Sequence, residues 1–599
     1  MLPTATAIES KLDLVSPLTL GFNSDFKVLS ALAAKAGNDK LKSFEFSNVL
    51  LQAKGSDRPQ LVNCYGHTKA NEILTILGPN KSDQLALIRV LAGREHLVKD
   101  LKSGRFIANE SEELYQVMRY GLVPAVPVHM KTSTVVEEFN FAYALRFPDG
   151  DSNRDEVVAD LLVSLNLLTC GNKQIGALAP WELQRVAVGV ELLSLPNVLF
   201  VNLPLVDNRK ADWEMIQILQ SLQRSNICQV VVSLHAPSSE VFHLIANHFL
   251  LLSSEGETLF VGNADDALAH FAAKKFVLPD HHNTGDYLLL CAEFSSDHLS
   301  NAAAVEALKG QPLTVAHAPR RYPRRNQLEQ FGLLFQRELL YSVRDHRVLL
   351  HRFIGTAITM ALTGCVFMHS GDITRPEYFF ATHFVSIAYA YFALSLDLML
   401  GGVMLLHEDK VLLIRERSLY SYDLMPVLLS KAIPELVINF IISCEATLIL
   451  YWAVGWSGNF MYFVLGLFLL LEVHTSYCYF FAFSCASIVK ALVLVVLSLV
   501  PQLLFYGILV TFAAMPNWLS WINYVCTLTY GLKIAAAQEF VPEHCVGNPY
   551  VCAEWVVLTT ANGISRDDIW WYCLILALMT VFYRVVAFFA VQLSIWKLR

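Results

Sequence analysis

The fold class the sequence predicts is an α/β cytosolic domain followed by an all-α membrane domain of six helices, and three observations predict it. Charged residues make up only 16% of the 599 positions and apolar ones 54%, against about 25% charged in an ordinary globular protein. The charge deficit is not uniform and falls mainly after about residue 345. There the apolar residues collect into six runs, each near the roughly 20 residues that cross a bilayer core. The earlier part instead alternates short buried-strand runs with helical spacing, the pattern of an α/β core with ligand loops at its strand ends.

From the beginning, MLPTATAIESKLDLVSP carries neither a basic n-region nor an apolar h-region. No cleaved signal peptide is expected, and the first half is expected in the cytosol. Phe46–Leu51 and Leu61–Gly66 read as strands. Glu72–Leu77 is an apolar strand that runs into Gly78-Pro79, and Leu85–Leu91 has amphipathic helical spacing closed by Gly93. Strand, loop and helix in that order are the setting of the phosphate loop G-x-x-x-x-G-K-[ST]. In such a loop glycine N–H groups close on the phosphates, Lys reaches the terminal ones and Ser/Thr holds Mg²⁺. Here Gly78 holds the first position, but Asp83, Gln84 and Leu85 stand where Gly, Lys and Ser/Thr belong. Val198–Val201 and Gln229–Leu234 are further buried strands, the second followed at once by His235.

The six runs are Leu349–Met368, Phe379–Leu405, Leu424–Ala453, Phe460–Ala486, Ala491–Ala513 and Ile569–Leu593. Positive charge orients them. Seven arginines between Arg320 and Arg347 precede the first run. Lys410, Arg415 and Arg417 follow the second, Lys490 follows the fourth, and Lys597 and Arg599 follow the sixth, whereas the opposite loops carry Arg375, Lys533 and Arg566. Both termini are therefore expected on the cytosolic side and the loop at about 514–568 on the outer side. Asp397, Lys431, Glu435, Glu445, Glu472, His474 and Arg584 fall within the runs. Charge is costly in lipid, so these are expected to face protein or a wet cavity, chiefly as interhelical pairs. Twelve cysteines show no CxxC spacing, which gives no sign of zinc. A net charge of −8 argues against a nucleic-acid partner.

Taken together, the chain resembles a half-transporter of the ABC transporter G subfamily, the White and sterol-transporter group, in which the cassette precedes six membrane helices. LVNCYGHTKANEILTILGP resembles the family's entry into its phosphate loop. QRVAVGVELLSLPNVLF is similar to the run from signature helix to Walker B strand, and VVSLHAPSSEVFHL to the switch-histidine segment. QFGLLFQRELLYSVRDHRVLLHRF resembles the connecting helix, IRERSLYSYDLMPVLLSKAIPEL the loop into the third span, and MPNWLSWINYVCTLTYGLKIAAAQEF the re-entrant outer region. The resemblance implies a tail at 1–40, a degenerate cassette at 41–300, a linker and connecting helix at 301–348 and the membrane domain at 349–599.

It also implies where the ATP chemistry would be, and those positions are changed. Gln84 and Leu85 replace the Lys and Ser/Thr of the phosphate loop. Ala125 stands for the Gln-loop glutamine. Leu178-Ala179-Pro180-Trp181-Glu182 replaces the signature LSGGE, Asn202-Leu203 the Walker B Asp-Glu, and Arg209-Lys210 the D-loop Asp and Ser. Gly78 and His235 remain as candidate nucleotide contacts. The expectation is no resident cofactor, with ATP engaged at most weakly or through a partner subunit, and no metal. The expected partners are another G-type half-transporter, in a heterodimer rather than a homodimer, and membrane lipids. The expected role is moving lipids, sterols or other amphipathic molecules. A non-transporting assembly or regulatory protein and an active ATP-driven exporter are the alternatives. The family's outer-loop cystine implies a disulfide between Cys545 and Cys552.

Overall fold

The computed structural model divides into two units, Met1–Asn326 with Leu598–Arg599, and Gln327–Lys597. It describes residues 26–35, 41, 43–52, 59–69, 72–93, 101–109, 111, 118–147, 153–204, 208–279, 282–294, 325–368, 370, 376–418, 422–507, 510, 512–541, 553, 556–557 and 559–598.

The first unit starts with helix α1 (Lys27–Lys35) and strands β1 (Ser43–Leu51) and β2 (Leu61–Lys69). With β4 (Leu101–Ala108) these strands form an antiparallel sheet in the order β2-β1-β4. β2 runs three residues past its expected end because YGHTK alternates exposed and buried positions, the period of a strand with one wet face. The larger sheet contains β3 (Leu74–Leu77), β5 (Tyr120–Val123), β6 (Val198–Leu203), β7 (Gln229–Leu234), β8 (Phe249–Leu252) and β9 (Thr258–Gly262). Its order is β5-β6-β7-β3-β8-β9. Neighbours are parallel except β9, which is antiparallel to β8. Crossovers between parallel strands require intervening helices. They are α2 (Lys81–Leu91), α3 (Val135–Arg146), α4 (Arg154–Ser164), α5 (Pro180–Leu192), α6 (Arg209–Arg224) and α7 (Ser239–Ile245), with α8 (Ala264–Ala273) and α9 (Thr284–Phe294) after the sheet. Strands covered on both faces read as unbroken apolar runs, and β3, β7 and β8 are buried at every residue. Gly189 lets α5 approach α3: a Cβ there would come within 2.6 Å of the Phe139 ring.

The second unit is helical: α10 (Gln327–Arg344), α11 (His346–Val366), α12 (Pro376–Ser418), α13 (Leu424–Leu450), α14 (Phe460–Ser484), α15 (Ile488–Phe505), α16 (Ile522–Val525), α17 (Thr527–Glu539) and α18 (Ile569–Leu598). Among the described residues, six helices are long and apolar enough to cross a membrane: α11 to α15 and α18. Most ends differ from the hydropathy reading by a few residues, and two differ by more. α12 continues 13 residues past Leu405, because its charged end is paired inside the unit: Lys410 donates to the carbonyls of Phe483 and Cys485, at 3.0 and 2.7 Å, and Glu416 binds Arg337. α15 stops at Phe505 rather than Ala513, since Pro501 lies in its last turns and Gly507 leaves the helical region at φ +103°.

α17 is too short to span. At about 1.5 Å per residue its 13 residues measure roughly 20 Å, yet all but Lys533 are buried. Its first residue, Thr527, meets His474 in the middle of α14 and Gln502 near the end of α15. Its last, Glu539, meets Ser457 and Gly458 just ahead of α14. The helix therefore lies antiparallel to α14 and enters the bundle from one end only.

Candidate functional site

In the first unit the parallel register decides what can meet. Ile76 of β3 pairs with Ser233, and Asn202 and Leu203 of β6 pair with Ser233 and Leu234 of β7. The strand ends thus gather Gly78, Asn202, Leu203 and His235 at one edge, where α/β proteins bind ligands.

Gln84 fills the centre of that edge. It is 2% exposed. Its Nε2 donates to the Gly78 carbonyl at 2.9 Å and to the Leu234 carbonyl at 3.1 Å, and its Oε1 accepts from the Ser233 hydroxyl at 3.2 Å. Both amide hydrogens and the carbonyl are therefore engaged by the chain itself. One residue earlier, Asp83 is 8% exposed in the first turn of α2. Its carboxylate accepts from the Asn80 amide at 3.1 Å and the Ser82 hydroxyl at 3.0 Å. A helix N-terminus attracts an anion, and here the anion is supplied by the chain. Leu85 is half-buried in the next position.

The start of α5 is arranged in a similar way. Ala179 precedes it and Pro180 opens it. Pro180 is exposed but has no N–H to offer. The Ala179 N–H is taken by Glu182 at 2.8 Å, and the other Glu182 oxygen accepts from the Cys170 thiol at 2.9 Å. Burial works to raise the Glu182 carboxyl, but these two donors, with Lys173 and Arg185 behind them, outweigh it and hold it below its ordinary range. Leu178 and Trp181 are half-buried. Gln184 in the next turn donates to the Pro124 and Ala125 carbonyls, at 3.1 and 2.5 Å, and so ties α5 to the segment that carries Ala125.

His235 is half-buried, and its Nδ1 has no hydrogen-bond partner among the described residues. Burial, then the Lys81 ammonium, push its imidazole below the usual range against a hydrogen bond toward the Gly78 backbone. Asn202 is half-buried and Leu203 is 7% exposed. Arg209 and Lys210 stand exposed at the start of α6, with Lys210 3.8 Å from Glu214.

In the second unit, the intramembrane ionisable residues separate by partner. Glu472 of α14 lies 3.2 Å from Arg584 of α18 and accepts from Asn439 of α13 at 2.8 Å. Lys431 pairs with Asp409 at 2.8 Å and Glu338 at 3.2 Å. His474 is buried against Thr527 at 3.1 Å. Glu435 and Glu445 each hold a buried oxygen with no hydrogen-bond partner among the described residues. Asp397 is exposed on α12 beside a cavity.

Sequence reasoning missed the strongest polar cluster of this unit. Glu539 is 3% exposed and accepts from the Ser457 and Gly458 N–H groups, at 2.9 and 2.8 Å, and from His383 at 2.8 Å. It also missed Arg337, which holds both oxygens of Glu416 at 2.7 and 3.1 Å, while Tyr422 donates to the same carboxylate. No local spacing announces partners 79 and 156 positions apart. The Glu182 contact did leave a trace, a Glu three residues after the cap position.

Among the described residues no group of three or more His, Cys, Asp or Glu side chains is placed to hold a metal ion. The ten described cysteines are free thiols, and Cys545 and Cys552 lie outside the described residues.

Comparison with known proteins matches residues 329–540 to the ABC-2 type transporter membrane family. ABC transporter G family member 4 of Arabidopsis thaliana is 24% identical over 548 residues, covering 86% of this chain and 91% of its own length. G family member 8 of the same plant is 24% identical over 87% of this chain and 89% of its own. The ABC transporter ATP-binding protein/permease wht-1 of Caenorhabditis elegans is 24% identical over 80% of this chain and 77% of its own. These relatives align across both units in one order, cassette first and membrane unit second. Together these matches support a half-transporter of the ABC transporter G family, which the chain resembles along most of its length.

Proposed function

We propose that this chain is a catalytically impaired half-transporter subunit that pairs with a second, catalytically complete G-type half-transporter to move lipids, sterols or other amphipathic molecules. Gln84 is the observation that carries the reading. A phosphate-loop lysine must extend toward the terminal phosphates, whereas the Gln84 amide is turned back onto Gly78, Leu234 and Ser233. The residues present do not fit Mg²⁺-ATP. Asp83 puts a carboxylate at the N-terminus where a phosphate would lie, Leu85 offers Mg²⁺ no oxygen, and Leu203 cannot orient a water. No step is therefore assigned to nucleotide on this chain's own loop.

Pairing in this family joins one chain's Walker motifs to the other's signature. A homodimer would have no complete site, which favours a heterodimer. In it the partner's nucleotide would meet Ala179-Pro180-Trp181, where the Ala179 N–H is already held by Glu182. The excess of Lys and Arg before the first span and after the second favours cytosolic termini. The outer loop would then carry the Cys545–Cys552 disulfide, and recovery of both thiols free under non-reducing conditions refutes that pairing.

The test is affinity purification of the full chain from native membranes, followed by ATPase assay. A stoichiometric half-transporter partner whose hydrolysis depends on this chain supports the proposal. Hydrolysis by the purified chain alone, abolished by Gln84→Ala or Asn202→Ala, overturns it in favour of an autonomous exporter.

A further inference from the structure

The second unit holds a cavity of about 220 Å³ lined by α11, α12, α13 and α14. An engineered apolar cavity of about 150 Å³ already admits benzene. Leu394, Leu398, Ile442 and Leu471 supply apolar wall, while Arg352 and His351 of α11 and Asp397 of α12 line the same space. Elsewhere in this unit opposite charges close on one another, as Glu472 does on Arg584 and Lys431 on Asp409. Here they do not. Among the described residues no hydrogen bond or ion pair joins Asp397 to Arg352 or His351, although all three line the one cavity. Charges left apart in a membrane span are costly, and a cavity between them offers the place for a molecule that pairs with both.

The exposed residues of its lining are His351 of α11 and Asp397, Gly401 and Met404 of α12, and they mark its mouth. Gly401 leaves the helix bare beside the opening, with no atom within 4 Å of where its Cβ would lie, and Gly402 packs against Cys478 of α14. An apolar chain can leave by this route while a polar head stays inside.

We propose that this cavity binds the headgroup of a zwitterionic phospholipid, its ammonium at Asp397 and its phosphate at Arg352 with His351 alongside. The proposal rests on the lipid-moving reading above and narrows it. A sterol offers one hydroxyl and leaves both charges unmatched. An anionic lipid matches Arg352 alone, and a cationic amphiphile Asp397 alone.

The test uses the purified full chain in detergent micelles, titrated with spin-labelled phosphatidylcholine. Charge-assisted contacts are worth about 1.5–3 kcal/mol, so Asp397→Asn and Arg352→Gln are each expected to weaken binding about tenfold or more. Arg352→Lys is expected to retain most of it, and Glu445→Gln, outside the cavity, all of it. Variants are compared only where their size-exclusion profile matches the parent. The proposal is overturned if both neutral variants bind as the parent does, or if phosphatidylglycerol binds equally well. Phosphocholine binding as tightly as the lipid assigns the cavity to a soluble zwitterion and overturns the lipid part. Cholesterol binding without phosphatidylcholine binding overturns the site and leaves the half-transporter reading standing. A purified heterodimer whose ATPase activity is independent of this chain overturns that reading instead.

Discussion

The two units dispose of their polar groups in opposite ways. At the strand and helix ends of the cassette, most polar groups where a ligand would bind are closed by the chain itself, Gln84 by three partners, Asp83 by two and Glu182 by two, and the His235 Nδ1 alone of the candidate contacts named above is without one among the described residues. In the membrane unit, tightly closed groups such as Glu539 and Glu472 coexist with Asp397 and Arg352, which face a cavity without closing on one another. Burial of a polar group is tolerable when its hydrogen bonds are met. A closed network therefore speaks for structure, and an open one at depth speaks for a ligand. On that criterion the closed groups of the cassette accord with the impaired-subunit reading proposed above, and the open groups of the membrane unit with the ligand proposed there.

The largest expected effect tests the closed side of the membrane unit. Glu539→Ala strips the acceptor from two backbone N–H groups and from His383, all at a buried site. Leaving a buried donor unsatisfied costs about 1–3 kcal/mol, and here three donors lose their acceptor at once. Loss of the monodisperse peak in detergent is the expected readout. A variant that purifies like the parent would show that the foot of α17 tolerates an open network, and the criterion would fail there.

Next comes Gln84→Ala in the cassette. It leaves the Gly78 and Leu234 carbonyls and the Ser233 hydroxyl without that partner, a loss of about 1–3 kcal/mol. Pulse proteolysis of the full chain across a urea series reads it as a lower midpoint for cleavage within the cassette. An unchanged midpoint would mean that Gln84 is not a seal, and the contrast between the units would weaken.

The legible parts of this molecule were those set by local pattern. β7 falls on Gln229–Leu234, as read, because an apolar run bounded by polar residues has one good solution in a buried parallel sheet. The six spans were found because hydropathy over about 20 residues is a local sum. Ends governed by remote partners were not legible. The charged tail of α12 stays helical because Arg337, 79 positions away, receives Glu416. At the strand ends, substitution at position 84 was visible in the sequence, but where the amide turned depended on Leu234 and Ser233, about 150 positions distant.

A smaller effect concerns the paired charges of the spans. The Glu472–Arg584 pair is 3.2 Å long and Glu472 keeps Asn439 when Arg584 is lost. A double-mutant cycle with Glu472→Gln and Arg584→Gln is expected to give a coupling of about 0.6–1.7 kcal/mol, the range for polar pairs between membrane helices. Coupling near zero would place Glu472 with the open groups rather than the closed ones.

The smallest effect is a pH dependence at the start of α5. Glu182 titrates below its ordinary range in the folded chain: burial opposes the carboxylate, but the Cys170 thiol, the Ala179 N–H, Lys173 and Arg185 together outweigh it. A folded-state value below the unfolded one stabilises the fold above the unfolded value, about 4.3 for a glutamate, and that contribution fades as pH falls through the folded value. Asp160 works in the other direction. Burial lifts its carboxyl despite hydrogen bonds from the Leu29 and Val28 N–H groups, so protonating it as pH falls favours the folded state. Only the difference between parent and Glu182→Gln isolates the first term, because glutamine still accepts from Ala179 but cannot ionise. The cleavage midpoints of the two proteins are expected to differ at pH 7 and to converge as pH falls from the ordinary glutamate range through the lower value of the folded chain. A constant difference across that range would mean that the α5 N-terminus is not occupied by a charge, and would leave it open to the partner's phosphates.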